Sequence, residues 1–590
     1  MQTKHFFSDP NHLVLTALHS LTLTNPSLAL DAQNKVIFRR PDAPRKKNKV
    51  SIVTGGGSGH EPAFAGFVGH GLCDASVAGT IFASPSAEQI RRAAIDRVPT
   101  GHGVFIIPMN YTGDVLNFGM AAEKCRAAGI RTEFFAINDD VGVSREKGGK
   151  VGRRGIGGGV LILKMVGALA ESGGSLEEVH GLAQLANQNL VSIGTSLEHV
   201  HVPGRGLPED SIPHGQAEVG MGIHNEPGSH RAKADLVALV STMLQRMLGE
   251  NEPEFCYITR KDEDEFVLLI NNLGGVSQLE LAGITDEVYR QLERDYRVKP
   301  IRVTQGTFLT SLNGLGFSIS LLKLADTGLG AGKSMVELID APAEAVGWSS
   351  PIPTSTWTNR IDTPVELKVS NLAEEIPSNL KLDPYIVKKV LGAGLERVIA
   401  AEPEITRYDT IVGDGDCGIG LKRGAEAIQS LLETSDPPLS ADIVNTVNRI
   451  TTVVENVMDG TSGAIYAIFL NALVHGLRDQ DSDTPKQADT VVWAKAIKHS
   501  VTALSKYTPA KPGDRTLIDA LVPFSDTLFD QLDVRVAAAA ARLGTESTKS
   551  MKASLGRSVY VGGEEEWIGK IPDPGACGLG EFLTGLAEAV

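Results

Sequence analysis

The sequence predicts a multidomain chain: an α/β half made of two lobes, followed by an all-α half forming a helical bundle or barrel. Three observations predict it. Short apolar runs ending in turn residues alternate with helical stretches over roughly the first half. A segment rich in Ser, Thr and Pro then interrupts the pattern. Beyond it, apolar residues recur at helical spacing and strand signals almost vanish. At 590 residues the chain is also too long for one hydrophobic core.

In the first half, Val50–Thr54 feeds a glycine-rich loop, Val104–Ile107 stops at Pro108, and Thr132–Ile137 is a third run. Sheets of this kind present ligand loops at the carboxyl ends of their strands. Phe266–Ile270 and Ile301–Thr304 follow a helical interval near Lys233–Leu248 and predict the second lobe. Residues 1–346 are assigned to the α/β domain. Residues 347–383, which include SSPIPTSTWTNRIDTP, are assigned to a linker, and residues 384–590 to the helical domain. In that last part Ile386, Val390, Leu391, Leu395, Val398 and Ile399 share one face, as do Val444, Val447, Ile450, Val454 and Val457. The alanine-rich Val534–Leu543 favours helix strongly.

Acidic residues outnumber basic ones, 71 to 56, which argues against a nucleic-acid partner. Anionic ligands are not excluded, because backbone amides and metals hold phosphate locally. The five cysteines are scattered and form no CxxC, so a reducing compartment is expected rather than a disulfide framework or zinc site. The N-terminus lacks the pattern of a signal peptide, and no apolar run is expected to span a membrane. A cytoplasmic protein is the expectation.

Five constellations carry chemistry. Gly55-Gly56-Gly57-Ser58-Gly59-His60-Glu61-Pro62 lets backbone amides approach a ligand, with His60 at its mouth. It fits neither the dinucleotide fingerprint nor the P-loop, and a tight turn with an incidental histidine is the plain alternative. In Asn110-Tyr111-Thr112-Gly113-Asp114, the aspartate is either a general base toward a hydroxyl or a helix N-cap. Glycines at 220, 222 and 228 surround His224, which is a nucleophile, a base or a metal ligand. The nearby pair His199 and His201, alternating on an expected strand, lacks a third zinc ligand at convincing spacing.

The sharpest signal is Asp409, Asp414 and Asp416 in a glycine-rich loop that continues through Cys417 and Gly418. Three carboxylates this close repel each other unless cations neutralise them. Oxygen ligands suit Mg²⁺, and glycines leave room for phosphate; the closing Glu of an EF-hand is missing. A solvated acidic turn is the alternative. Asp459-Gly460-Thr461-Ser462-Gly463 opens a helix with small residues, as a phosphate seat or as a close helix–helix turn. With Lys511–Thr516 and Asp573–Ala576, these loops can ring a nucleotide at one end of the bundle.

In order, the motifs GGGSGHEP, NYTGD, GMGIHNEPG, DxxxGDGDxG, DGTSGA, KPGDRT and PDPGA, from Gly55 to Ala576, resemble those of dihydroxyacetone kinases. The match is to the single-chain, ATP-dependent form, with a substrate domain fused to a nucleotide domain. The resemblance implies phosphorylation of dihydroxyacetone, and of glyceraldehyde, with ATP and two Mg²⁺ ions, in a homodimer. It implies that His224 holds the substrate carbonyl as a hemiaminal and that Asp114 and His60 surround the reacting hydroxyl. Gly57, Ser58, Gly59 and His60, with Met109 and Asp114, are the implied substrate contacts. Asp409, Asp414 and Asp416 are the implied metal ligands. Gly415, Asp416, Cys417, Gly418, Ser462, Gly463, Thr516, Leu517, Asp573, Pro574 and Gly575 are the implied nucleotide contacts. Met109 departs from the family, which often has Lys there. The alternative activity is a Mn²⁺-dependent cyclase acting on FAD in the nucleotide domain. A carbonyl-binding regulator, a third reading, is disfavoured by a fused chain with all three aspartates.

Overall fold

The computed structural model describes residues 3–7, 9–42, 49–206, 211–249, 252–349, 352–358, 376–434, 438–458, 460–555 and 567–590. The chain divides into two compact units, Met1–Pro364 and Val365–Val590.

The first unit carries two six-stranded sheets. One is built from β1 (Leu28–Asp31), β2 (Val36–Arg39), β3 (Ser51–Ser58), β4 (Ala75–Ile81), β5 (Val104–Ile106) and β6 (Thr132–Phe134). Their order is β1-β2-β4-β3-β5-β6, and β4, β3, β5 and β6 run parallel. The other contains β7 (Leu190–Ser196), β8 (Gln216–Val219), β9 (His230–Lys233), β10 (Phe266–Asn272), β11 (Arg302–Gly306) and β12 (Gly316–Lys323), in the order β11-β10-β12-β7-β8-β9. Helices α1 (Pro10–Thr24), α2 (Ala87–Arg91), α3 (Thr112–Ala127), α4 (Arg145–Gly148), α5 (Gly159–Ser172), α6 (Leu176–Gln188), α7 (Leu236–Leu248), α8 (Gln278–Tyr296), α9 (Met335–Asp340) and α10 (Thr354–Thr358) complete the unit. Strand β10, FVLLINN, is buried along its whole length, as a strand covered on both faces must be.

Two features differ from the sequence reading. The expected glycine loop is largely strand: Gly55 pairs with Val77, Gly56 with Ala78 and Ser58 with Ile81, with a register shift between Gly56 and Ser58. Glycines without side chains let the end of this inner strand lie close against Phe82 and Ala83. Strands β1, β2, β8 and β9 have four residues each, too few to show a period of two.

The second unit is a closed ring of eight described helices. They are α11 (Pro384–Val412), α12 (Cys417–Thr434), α13 (Ile443–Val457), α14 (Gly460–Arg478), α15 (Thr490–Leu504), α16 (Ile518–Gln531), α17 (Val534–Ser547) and α18 (Pro574–Ala589). Each packs on the next and α18 packs on α11. The ring encloses an apolar cavity of about 480 Å³ faced by Val387, Leu391, Ile450, Tyr466 and Phe524. Helix α14 has 19 residues and a mean hydropathy of 1.2, so by length and composition it could cross a membrane, contrary to the sequence expectation. In the ring its Leu473, Val474 and Leu477 are buried in the core. Its Ile465, Tyr466 and Phe469 also line the apolar cavity, and a helix facing such a cavity shares its composition with a membrane span.

Residues 350–351 and 359–375 of the expected linker lie outside the described residues, as does Asp459. The end of that segment packs on the helical ring. The Ser378 backbone N–H and hydroxyl donate to Asp442, which caps α13, and buried Leu380 lies in β13 (Leu380–Lys381), paired with β14 (Lys486–Gln487). Residues ahead of the first periodic helix thus pack with the helical unit, where the Ile376 carbonyl also accepts from Arg478 at 3.2 Å.

Candidate active site

In the first unit, the two lobes bring His60 and His224 together across 164 residues of chain, with their Nε2 atoms 3.0 Å apart. His60 follows β3 through Gly59, whose φ of +101° favours glycine. Its Nδ1 lies 2.8 Å from the Thr310 carbonyl. His60 is 2 % exposed, and burial, helped by the neighbouring His224, lowers its pKa to about 3. It is therefore a neutral imidazole.

His224 stands on the turn after β8. Asn225, in the left-handed region at φ +64°, fixes that turn by exchanging two 2.9 Å hydrogen bonds with the Val200 backbone. Glu226 brackets the histidine: Oε2 accepts from its backbone N–H at 2.9 Å, and Oε1 lies 2.8 Å from Nδ1. Burial pushes the Glu226 carboxyl up, but hydrogen bonding and charge from His224 prevail and hold it at about 2. Phe82 stacks on His60 at 5.3 Å, and Phe82 and Tyr111 meet the His224 ring edge-on at 5.2 and 4.7 Å.

Hydrogen-bond bookkeeping fixes the protons. The Thr310 carbonyl requires an N–H from His60 Nδ1, and the Glu226 carboxylate requires one from His224 Nδ1. The contact between the two Nε2 atoms requires a third. Two neutral imidazoles carry only two ring protons, so a hydrogen bond between the Nε2 atoms takes one proton more than the neutral pair holds.

Asp114 lies in the first turn of α3. The N-cap position is Tyr111, so Asp114 is not the capping residue. It is 6 % exposed, and Oδ1 has no hydrogen-bond partner among the described residues. Burial raises its pKa to about 6 against the opposing effects of Ser84 and His224. Gly56 opens the space beside it: a Cβ there would stand 3.6 Å from Asp114 Oδ2 and 2.9 Å from the Phe64 ring.

The other residues singled out in this unit divide. Gly57 lies at the end of β3 against Phe82 and Ala83. The Ser58 hydroxyl donates to the Gly79 carbonyl at 3.0 Å, directed at β4. Met109 is 1 % exposed and its thioether packs against Gly155 and Gly159, so its backbone rather than its side chain is what it offers a ligand. His199 and His201 do not alternate on a strand. They lie in the loop after β7, His199 near Glu218 and His201 bonded to His5 and the Arg205 carbonyl.

In the second unit, Asp409 ends α11 and accepts from the Cys417 N–H at 3.0 Å, folding the loop back. Ligand oxygens of Asp409, Asp414 and Asp416 lie within 4.8 Å of one another. All are hard donors and two of the residues are exposed, which fits Mg²⁺. Gly415, at φ +81°, makes the turn between the last two. Around the cluster stand the N-termini of α12, α14, α16 and α18, whose partial positive charges suit phosphate. The Cys417 thiol at the start of α12 lies 3.9 Å from the Ser462 hydroxyl, beside Gly463 in the first turn of α14. A Cβ on Gly575 of α18 would stand 3.5 Å from Leu517, which precedes α16. The Thr516 N–H donates to Asp519. Asp573 caps α18 through the Ala576 N–H, with Pro574 in the first helical position. Burial raises the Asp573 carboxyl to about 6, and Asp409 and Asp519 are near enough to add to the shift.

The sequence reading passed over four residues of these sites. Glu226 sat inside a quoted motif, but only its contact with Nδ1 reveals it. Phe82 and Thr310 are distant in sequence from everything they touch. Arg515 falls within the polar loop Lys511–Thr516, yet it is 1 % exposed, stacks on Trp567 at 4.6 Å and donates to the Ile571 carbonyl at 3.0 Å. Its Nε and Nη1 are buried without partners among the described residues.

Residues 19–347 match the Dak1 domain and residues 411–588 the DAK2 domain. The dihydroxyacetone kinase of Pichia angusta is 41% identical over 615 residues, covering 100% of this chain and 99% of that one. Dihydroxyacetone kinase 2 of Saccharomyces cerevisiae is 41% identical over 600 residues, covering 100% of both. The human triokinase/FMN cyclase is 35% identical over 592 residues, covering 97% of both. Among solved structures, the native dihydroxyacetone kinase of C. freundii aligns with a TM-score of 0.64 at 29% identity over 100% of each chain. Its complex with AMP-PNP and Mg²⁺ aligns at 0.63 and 30%, again over 100% of each.

Proposed function

The chain belongs to the dihydroxyacetone kinase family, and from that premise we propose that it phosphorylates dihydroxyacetone, and glyceraldehyde, with ATP, holding the substrate covalently on His224. The observation that carries the covalent step is the hydrogen-bonded chain Thr310–His60–His224–Glu226.

Capture takes up one proton beyond those of the two neutral imidazoles. His224 Nε2 forms a bond to the carbonyl carbon as the C=O π bond breaks. That proton, entering between the two Nε2 atoms, passes through His60 to the carbinol oxygen. Nδ1–H stays on Glu226, whose charge offsets the substituted imidazolium. Asp114 then takes the proton of the terminal hydroxyl as that oxygen bonds to the γ-phosphorus and the bond to ADP breaks. Asp409, Asp414 and Asp416 hold two Mg²⁺ in this proposal, and the metal supplies neutralisation of phosphate charge. Loops from Gly415–Gly418, Ser462-Gly463, Thr516-Leu517 and Asp573–Gly575 seat the nucleotide. A homodimer in the cytoplasm completes the reading.

Intact-protein mass after incubation with dihydroxyacetone, paired with ATP turnover, tests it. Wild type is expected to gain a triose-sized adduct and turn over; His224→Ala is expected to lose both. An adduct that persists in His224→Ala would remove the histidine from the covalent role. Glu226→Gln offers an N–H to Nδ1 and so favours the tautomer that carries its proton on the attacking Nε2. Its kcat/KM is expected to fall about 10²-fold or more, by the logic of an imidazole held in the wrong tautomer. Full activity in that variant would show that Glu226 does not set the tautomer.

The triokinase/FMN cyclase relative, which spans nearly the whole chain, favours a second, cyclase activity; we place it in the helical unit, with FAD as substrate and Mn²⁺ as the ion. It requires no carbonyl capture, so FAD conversion is expected to survive His224→Ala. Loss of conversion in that variant would sink the assignment to the helical unit alone.

A further inference from the structure

We infer that His475, Asp479 and His499 form a second metal site, selective for a divalent transition cation such as Zn²⁺. The site lies on the solvent-facing side of the α14–α15 pair and shares no residue with the aspartate cluster. His475 and Asp479 are four residues apart, on one face at the end of α14, and the Asp479 N–H still donates to the His475 carbonyl at 2.9 Å. His499 faces them from α15. The helices meet closely there because residue 476 is glycine: a Cβ would stand 3.1 Å from both Ala496 Cα and His499 Cβ. The two histidine backbones are therefore held by packing rather than by the exposed rings.

The ligand atoms converge. His475 Nδ1 lies 3.4 Å from His499 Nε2 and 3.8 Å from Asp479 Oδ2, and all three ligand atoms lie within 4.8 Å of one another. A tetrahedral ion with bonds of about 2.0–2.1 Å separates its ligands by roughly 3.4 Å, so the nitrogen pair already has that spacing. The 3.4 Å contact is long for a hydrogen bond between two imidazoles. His475 and Asp479 are 67% and 57% exposed, so their side chains are free to point into water. An ordinary surface ion pair needs one histidine and one carboxylate; it does not require a second imidazole turned toward the same point. Three protein ligands leave a fourth position for water.

The donor set sorts metals. Two imidazoles and one carboxylate favour Zn²⁺, Ni²⁺ or Cu²⁺ over Mg²⁺, whereas the all-oxygen set of Asp409, Asp414 and Asp416 suits Mg²⁺. A bound ion would tie α14 to α15 at the end of α14 remote from Gly460, and it would stabilise the folded chain by mass action.

The test is equilibrium dialysis of the full chain against Zn²⁺ in saturating Mg²⁺, for wild type, His499→Ala and His475→Asn. Zinc taken up by the five cysteines is common to all three proteins and drops out of the difference. One equivalent is expected to be lost in each variant, or its affinity to fall by about tenfold to a hundredfold, the scale on which metal sites respond to lost support. Zinc is expected to raise the thermal midpoint more in wild type than in either variant. Zinc-free turnover with Mg-ATP and dihydroxyacetone is expected to be the same in all three. Equal zinc stoichiometry and affinity in wild type and either variant would overturn the inference.

Discussion

Asp114→Asn is expected to lower kcat by about 10²–10⁴, the usual contribution of a positioned general base, while leaving the covalent adduct on His224 intact. The same change is expected to raise stability above pH 6. The two effects have one cause. The Asp114 carboxyl is buried, one oxygen lacks a partner among the described residues, and its pKa rises from 3.8 to about 6. A carboxyl whose pKa is raised on folding favours the folded state at low pH. That contribution is complete below 3.8 and is lost as pH rises through about 6. At neutral pH the folded chain thus carries a buried charge costing on the order of 2–3 kcal/mol, which Asn removes. For wild type, kcat/KM is expected to fall as pH drops below about 6, where the base becomes protonated. Chemical denaturation at pH 5 and pH 8, beside a pH–rate profile, checks both halves. An Asp114→Asn enzyme that turns over normally would remove Asp114 from the base role. One that is less stable at pH 8 would show that the carboxylate is structural.

Asp416→Asn is expected to cut kcat by about 10²–10³, the scale for removing one element of preorganised charge stabilisation, and to raise the Mg²⁺ concentration needed for half-maximal rate. It should do so without touching dihydroxyacetone capture, since no proton in the His60–His224 pair depends on the helical unit. Asp416 is preferable to Asp409 for this test. The Asp409 side chain also receives the Cys417 N–H and so folds the loop, whereas Asp416 joins the loop through its backbone carbonyl, which accepts from the Gly420 N–H. The readouts are ATP turnover against Mg²⁺ concentration and adduct mass without ATP. An unchanged Mg²⁺ dependence would take Asp416 out of the metal set. The FAD cyclase activity, if it uses the same ions, should fall in parallel when measured in Mn²⁺.

The helical half was legible because its signal is local. Val444, Val447, Ile450 and Val454 mark a buried face at fixed spacing, and all four are buried in α13. The three aspartates were legible for a similar reason: carboxylates five and two residues apart must be neighbours, whatever the fold. Strand β10 was also readable, because Phe266–Ile270 is an unbroken apolar run and the strand is buried throughout. Strands β8 and β9 were not, because four residues are too few for a period to show.

The sequence by itself determined the order of an α/β half and a helical half, the acidic loop that suits a hard cation, and the histidine set among glycines. Those follow from spacing along the chain. Only the tertiary structure decided which atoms meet. It put His60 from one lobe 3.0 Å from His224 of the other and placed Glu226 behind Nδ1. It turned the Met109 side chain into the core, buried Arg515 under Trp567, and aimed His475 and His499 at one point. Proton positions, pKa shifts and metal geometry depend on distances of a few ångströms between residues far apart in the chain. No local pattern encodes those distances, because they arise when separate elements pack.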